Sequence, residues 1–137
     1  MKKLLITGVL LVFFSSCKKE KVSKEPMVYQ PSEMAALMNR MYEENAKIKQ
    51  QILNGETPEN FPEEYLKIHT ATLTDPSDRT SQFRQYSDLY LNNLRDIFET
   101  PKDSLKLEFN EVINSCIACH QTTCIGPIPR IRKLLIR

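Results

Sequence analysis

Leu105-Lys106-Leu107-Glu108-Phe109-Asn110-Glu111-Val112-Ile113-Asn114-Ser115-Cys116-Ile117-Ala118-Cys119-His120 is the stretch that decides the fold. Within it Leu105, Phe109, Val112, Cys116 and Cys119 recur at steps of four, three, four and three. That period is the inward stripe of an α-helix packed against other helices. A helix turns about 100° per residue, so Cys116 and Cys119 lie nearly one above the other, with His120 on the adjacent edge of the same face. The two thiols therefore extend the core stripe of the helix.

Three further segments carry the same period. The first starts at Ser32, a good N-cap with Pro31 just outside it, and is expected to end at Leu53 before Asn54-Gly55. Its seam is Met34, Met38, Met41, Asn45, Ile48 and Ile52. A shorter segment starts near Pro62, carries Tyr65, Leu66 and Ile68, and ends before the Asp75-Pro76 turn. The third spans 81–99 with Phe83, Tyr86, Tyr90, Leu94 and Ile97 on one stripe. The last opens at Pro101-Lys102-Asp103. Gly is scarce, Trp is absent, and no alternating apolar runs bounded by turn signals occur, which argues against strands. The expectation is an all-α chain, an up-down-up-down four-helix bundle over 32–137, with room for one core and one domain.

The N-terminal residues read as an export signal. Met1-Lys2-Lys3 is a positive n-region, and residues 4–14 form an apolar run shorter than the roughly 20 residues of a membrane-spanning helix. Residues 1–16 are thus expected to be a signal peptide. Phe14-Ser15-Ser16-Cys17 resembles a bacterial lipobox, with Phe14 where leucine is usual; that makes Cys17 the lipidated first residue. Lys18-Lys19-Glu20-Lys21 is similar to the charged export tags of Bacteroidetes-type lipoproteins, and 17–31 reads as lipidated cysteine plus polar tether. The expected location is a bacterial membrane surface, facing the periplasm or the cell exterior.

Processing changes the charge. The excess of 19 basic over 17 acidic residues is carried by Lys2 and Lys3, and both leave with the signal. No basic patch interleaved with aromatics occurs along the body, so nucleic-acid binding has no support.

Cys116-Ile117-Ala118-Cys119-His120 gains its chemical meaning in that exported setting. Cys-x-x-Cys-His is the attachment pattern of c-type haem: two thiols add to the porphyrin vinyl groups as thioethers, and the imidazole binds iron from the proximal side. One covalent haem c is expected, held by Cys116 and Cys119 with His120 as iron ligand. With the motif on the last of four helices, the body 31–137 resembles the four-helix-bundle cytochromes of the cytochrome c-prime type. It also resembles small Bacteroidetes lipoprotein cytochromes, which join a Met-rich first helix to a Cys-x-x-Cys-His followed by a Gly-Pro-x-Pro-Arg segment, here Gly126-Pro127-Ile128-Pro129-Arg130. In the c-prime family the last helix continues past the haem histidine, whereas here Gly126, Pro127 and Pro129 break it.

The second iron ligand follows from bundle topology. Helices one and four are antiparallel neighbours in an up-down-up-down bundle, so His120 faces the start of helix one with Met34, Met38 and Met41. Met38 is the expected distal ligand, with Met34 and Met41 as alternatives; ordinary core filling is the competing reading of all three. A Met/His pair suits outer-sphere electron transfer to a redox partner protein that the sequence does not name. Five-coordinate iron that binds NO or CO is the alternative. A zinc module of Cys116, Cys119, His120 and Cys124 is a second, and a thiol-disulfide oxidoreductase a weaker third. No enzyme is expected, because no polar pocket with a placed acid or base can be read from the sequence. His69 is expected to be a solvated histidine, and Cys124 a free thiol buried beside the haem, with a cross-link between two copies in a homodimer as its alternative. Arg130, Arg132 and Lys133 either pair with haem propionates or form a solvated basic tail.

Overall fold

The computed structural model describes residues 30–137, and the chain is all-helical among them. The stretch expected to be a signal peptide, Cys17 and most of the expected tether lie outside the described residues. Three long helices carry the fold: α1 (Glu33–Leu53), α2 (Ser81–Ile97) and α3 (Leu105–Thr122). A short α4 (Ile128–Ile131) follows. Among the described residues no helix is long and apolar enough to cross a membrane.

The helix ends form where the side chains dictate. Ser32 Oγ accepts the Ala35 N–H at 3.1 Å and Thr80 Oγ1 accepts the Phe83 N–H at 3.1 Å, each satisfying one of the donors that a helix start leaves open. After Leu53 the chain turns at Gly55, whose φ of 76° lies in the left-handed region that a side chain disfavours. The second segment is not an α-helix. Glu63–His69 is a seven-residue 3-10 helix, which buries Tyr65 and Ile68 but leaves Leu66 exposed, since only its eclipsed third positions face inward.

The core is close to the expected one, with instructive shifts. Leu94, Ile97, Phe109, Val112 and Ile113 are fully buried where α2 packs along α3, the most extensive helix contact. On α1 the buried set is Met34, Leu37, Met41, Asn45, Ile48 and Ile52. Leu37 thus takes the core place expected of Met38, which is only partly buried. Ser87 and Leu91 likewise join Phe83, Tyr90, Leu94 and Ile97 in the buried set of α2, while Tyr86 is partly exposed.

The C-terminal tail is docked by polar side chains as well as apolar ones. Lys49 Nζ donates to the carbonyls of Lys133 and Leu135, each at 2.9 Å. The Asn110 amide donates to Ile136 O and accepts its N–H, both at 2.9 Å, while Ile131, Leu134 and Ile136 are buried. The tail is therefore seated against α1 and α3.

Glu33 ties the start of α1 to the chain after the 3-10 helix. Thr72 donates to Glu33 Oε2 through its N–H at 2.9 Å and its hydroxyl at 2.8 Å, and these bonds, the backbone one first, hold the carboxyl below the usual carboxylate range. A depressed folded value means that the charged form stabilises the fold above the unfolded pKa of about 4.3, and that this contribution is lost as pH falls through the folded value. Glu33→Gln is expected to lower the urea midpoint at neutral pH. The gap to wild type should close on acidification below the folded value, and a gap that is independent of pH would contradict this account.

Candidate functional site

A cavity of about 340 Å³, overwhelmingly apolar, opens between α1 and α3 with α2 along its side. Small-molecule pockets run from about 300 to 1,000 Å³. Met34, Met38 and Met41 line it from α1, and Cys116, Cys119 and His120 line it from α3. The two groups of residues that the sequence singled out, some eighty positions apart, thus share one cavity wall to wall. Steps of three and four on each helix aim these side chains to one side.

His120 is set by the way α3 ends. The helix stops at Thr122, and the chain folds so that Cys124 O lies 2.8 Å from His120 Nδ1. A carbonyl only accepts, so Nδ1 carries the hydrogen and donates it. This bond fixes the tautomer in which the Nε2 lone pair is available to a metal. Cys124 itself is exposed at the cavity rim rather than buried, a correction to the sequence expectation. Cys124 lies beyond the end of α3 at Thr122, and its main-chain carbonyl is the part that meets His120.

The two motif thiols are partly buried and unpaired. Burial first, and the neighbouring Cys119 second, push the Cys116 thiol up to about 12, and burial also raises Cys119. A thiol-disulfide oxidoreductase needs the opposite, a thiolate favoured by its surroundings. The zinc arrangement fares no better. Among the described residues no three His, Cys, Asp or Glu side chains are grouped so as to hold a metal ion, so Cys116, Cys119, His120 and Cys124 are not gathered as that reading requires.

Two features of the site escaped the sequence. The first is a buried polar pair in the cavity wall: Asn45 Nδ2 donates to Met41 O at 2.7 Å and to Tyr90 Oη at 3.1 Å. Asn45 Oδ1 has no partner among the described residues, although Asn45 is only 2 % exposed. A buried polar atom left without a hydrogen bond costs about 1–3 kcal/mol. Burial, with Cys116 nearby, holds the Tyr90 hydroxyl far above its ordinary pKa and so protonated. Asn and Tyr at seam positions were the available signal, but nothing local says that they meet.

The second feature, beside the cavity, is His69, which is partly exposed but held by side-chain partners rather than free in solvent. Its Nε2 lies 3.2 Å from Asp88 Oδ1 and its Nδ1 3.4 Å from Ser87 Oγ, so it bridges the 3-10 helix to α2. It does not line the cavity, though Ser87 does. At the mouth, Arg130 stacks over the Tyr42 ring at 3.8 Å and donates to Asn39 Oδ1 at 3.0 Å. Arg132 and Lys133 are exposed and lie off this cavity.

Comparison of the chain with protein-family models, with curated proteins and with solved structures finds no match.

Proposed function

We propose that the mature chain is an exported c-type cytochrome that carries single electrons, with one haem joined to Cys116 and Cys119, His120 as proximal ligand and Met38 as distal ligand. The observation that carries this reading is the His120 Nδ1–H bond to Cys124 O, which leaves Nε2 available beside two thiols one helical turn apart. The residues fit the group in three further respects. The wall is apolar, as a porphyrin requires; soft thioether donors face it from α1; and Arg130 stands at the mouth, where a guanidinium can pair with acidic propionates. When bound, such a haem supplies a ferric–ferrous couple, and a Met/His pair raises its potential.

Met38 is preferred over its neighbours because of packing. Met34 and Met41 are held in the core at 6 % and 5 % exposure, whereas Met38 is partly buried and lines the same cavity. A thioether not closed in on every side can move onto a metal at the least cost in packing. The up-down-up-down arrangement belongs to this reading as well. It is supported by the short 98–104 connection between α2 and α3, which suits antiparallel neighbours. We take the protein to be a carrier rather than an enzyme, anchored through Cys17 to a bacterial membrane outside the cytoplasm, with a protein as redox partner.

The test is to express the chain with haem-attachment machinery, extract with acid acetone and record the pyridine haemochrome. One haem per chain that resists extraction, with low-spin spectra in both oxidation states, is the expected result. Haem that extracts freely, or a colourless product, would overturn the proposal.

A further inference from the structure

We infer that the outer side of the C-terminal tail is a docking face for an acidic protein, the redox partner of the proposed carrier. The identity of the occupant rests on the cytochrome reading, whereas the charge of the face does not. Residues 112–137 hold Arg130, Arg132, Lys133 and Arg137 and no Asp or Glu, while 30–111 hold fifteen acidic and nine basic side chains. The tail is therefore the positive end of a charge dipole that orients an approaching molecule. Ile131, Leu134 and Ile136 turn inward and are buried, which leaves Arg132, Lys133 and Arg137 exposed. The ion pairs of the described residues, Arg40–Glu64, Lys47–Glu44 and His69–Asp88, all lie off the tail.

The tail runs down one side of α1. Arg130 stacks over Tyr42 at the cavity mouth, and two turns further on Lys49 Nζ holds the carbonyls of Lys133 and Leu135. A shallow groove of about 450 Å³ continues from there, lined by Lys49, Arg132, Lys133 and Arg137 with Leu53 and Leu135, and by no Asp or Glu. Leu53 is 48 % exposed, so an apolar spot lies within a charged rim, the anatomy of a protein interface. Along α1 the strip runs from Asn39, which Arg130 also binds, to Leu53, about 20 Å, a span that suits the small interfaces of redox encounters. Like charges gathered on one face repel one another, and an acidic surface laid on them removes that cost. One end of the strip is the cavity mouth, so a protein seated on it lies beside the place where an electron would leave. That placement favours a redox protein over an anionic membrane as the occupant.

The experiment compares the mature wild-type protein with Arg132→Glu/Lys133→Glu. Lys67→Glu/Arg84→Glu is the control, an equal change of charge at exposed positions of the 3-10 helix and α2. Circular dichroism checks the fold, and Arg137→Glu replaces the tail variant if its helix content falls. The first probe is a labelled oligoglutamate peptide. Wild type and control are expected to bind it at low ionic strength and to release it as salt rises, and the tail variant to bind about tenfold more weakly. In coloured, reduced protein, oxidation by hexacyanoferrate(III), an anion that takes up one electron, should slow about tenfold in the tail variant alone. No peptide binding by the wild type, equal binding by all three proteins, or an oxidation rate indifferent to the tail charges overturns the inference. Vesicles of phosphatidylcholine and phosphatidylglycerol are the second probe: tail-dependent binding tighter to them than to the peptide makes a membrane the occupant and overturns it too. A colourless product counts against the haem proposal, and the docking face is then judged by the peptide alone.

Discussion

Alanine at both Cys116 and Cys119 is expected to reduce haem that survives acid-acetone extraction to background, while the chain stays folded. The two parts of this outcome rest on different residues. Attachment needs the sulfurs, whereas the last helix is held by Leu105, Phe109, Val112 and Ile113, each at 1 % exposure or less. The cysteines are partly buried at the cavity wall, so trimming them removes little packing compared with the ~2–5 kcal/mol of a large core residue cut to alanine. Circular dichroism should show wild-type helix content in the double variant. Each single variant should keep one thioether and hold haem with an altered haemochrome band. Extraction-resistant haem at wild-type level in the double variant would remove the basis of the cytochrome proposal.

How far these features were legible in the chain depends on the distance over which each is determined. Ser32, Thr80 and Gly55 act on their immediate neighbours, and the helix ends that they set were readable, as was the stripe through Phe109 and Val112. The second segment was readable as helical but not as 3-10, because its spacing is too short to fix a period. The interchange of Leu37 and Met38 shows the limit of a seam read at fixed steps: a helix stripe is wide, and the neighbouring element decides which of two adjacent apolar residues goes under. At the site, Cys116, Cys119 and His120 announce themselves by chemistry at fixed spacing. The Asn45–Tyr90 bond spans 45 positions and the Ser87–His69 contact 18, and no local pattern encodes either. The seat of the tail depends on Asn110 meeting Ile136, another long-range choice.

Met38→Ala is expected to convert a six-coordinate, low-spin protein into one whose reduced form binds carbon monoxide. It should also abolish the weak sulfur-to-iron charge-transfer band of the oxidised protein and lower the potential, since a thioether ligand favours the reduced iron. The three methionines of the α1 wall separate ligation from packing. Met34 and Met41 are core residues, so their replacement by alanine should cost stability, on the order of 2–5 kcal/mol, with the charge-transfer band intact. Met38, partly buried, should show the reverse: a small loss of stability and a complete spectral change. Spectral loss with Met34→Ala or Met41→Ala instead would move the ligand along the same face of α1. A wild-type protein that is already high-spin and binds carbon monoxide freely would mean that no methionine reaches the iron. The five-coordinate, gas-binding reading would then replace electron transfer, with His120 Nε2 still the proximal donor and the hydrogen bond to Cys124 O still setting its tautomer.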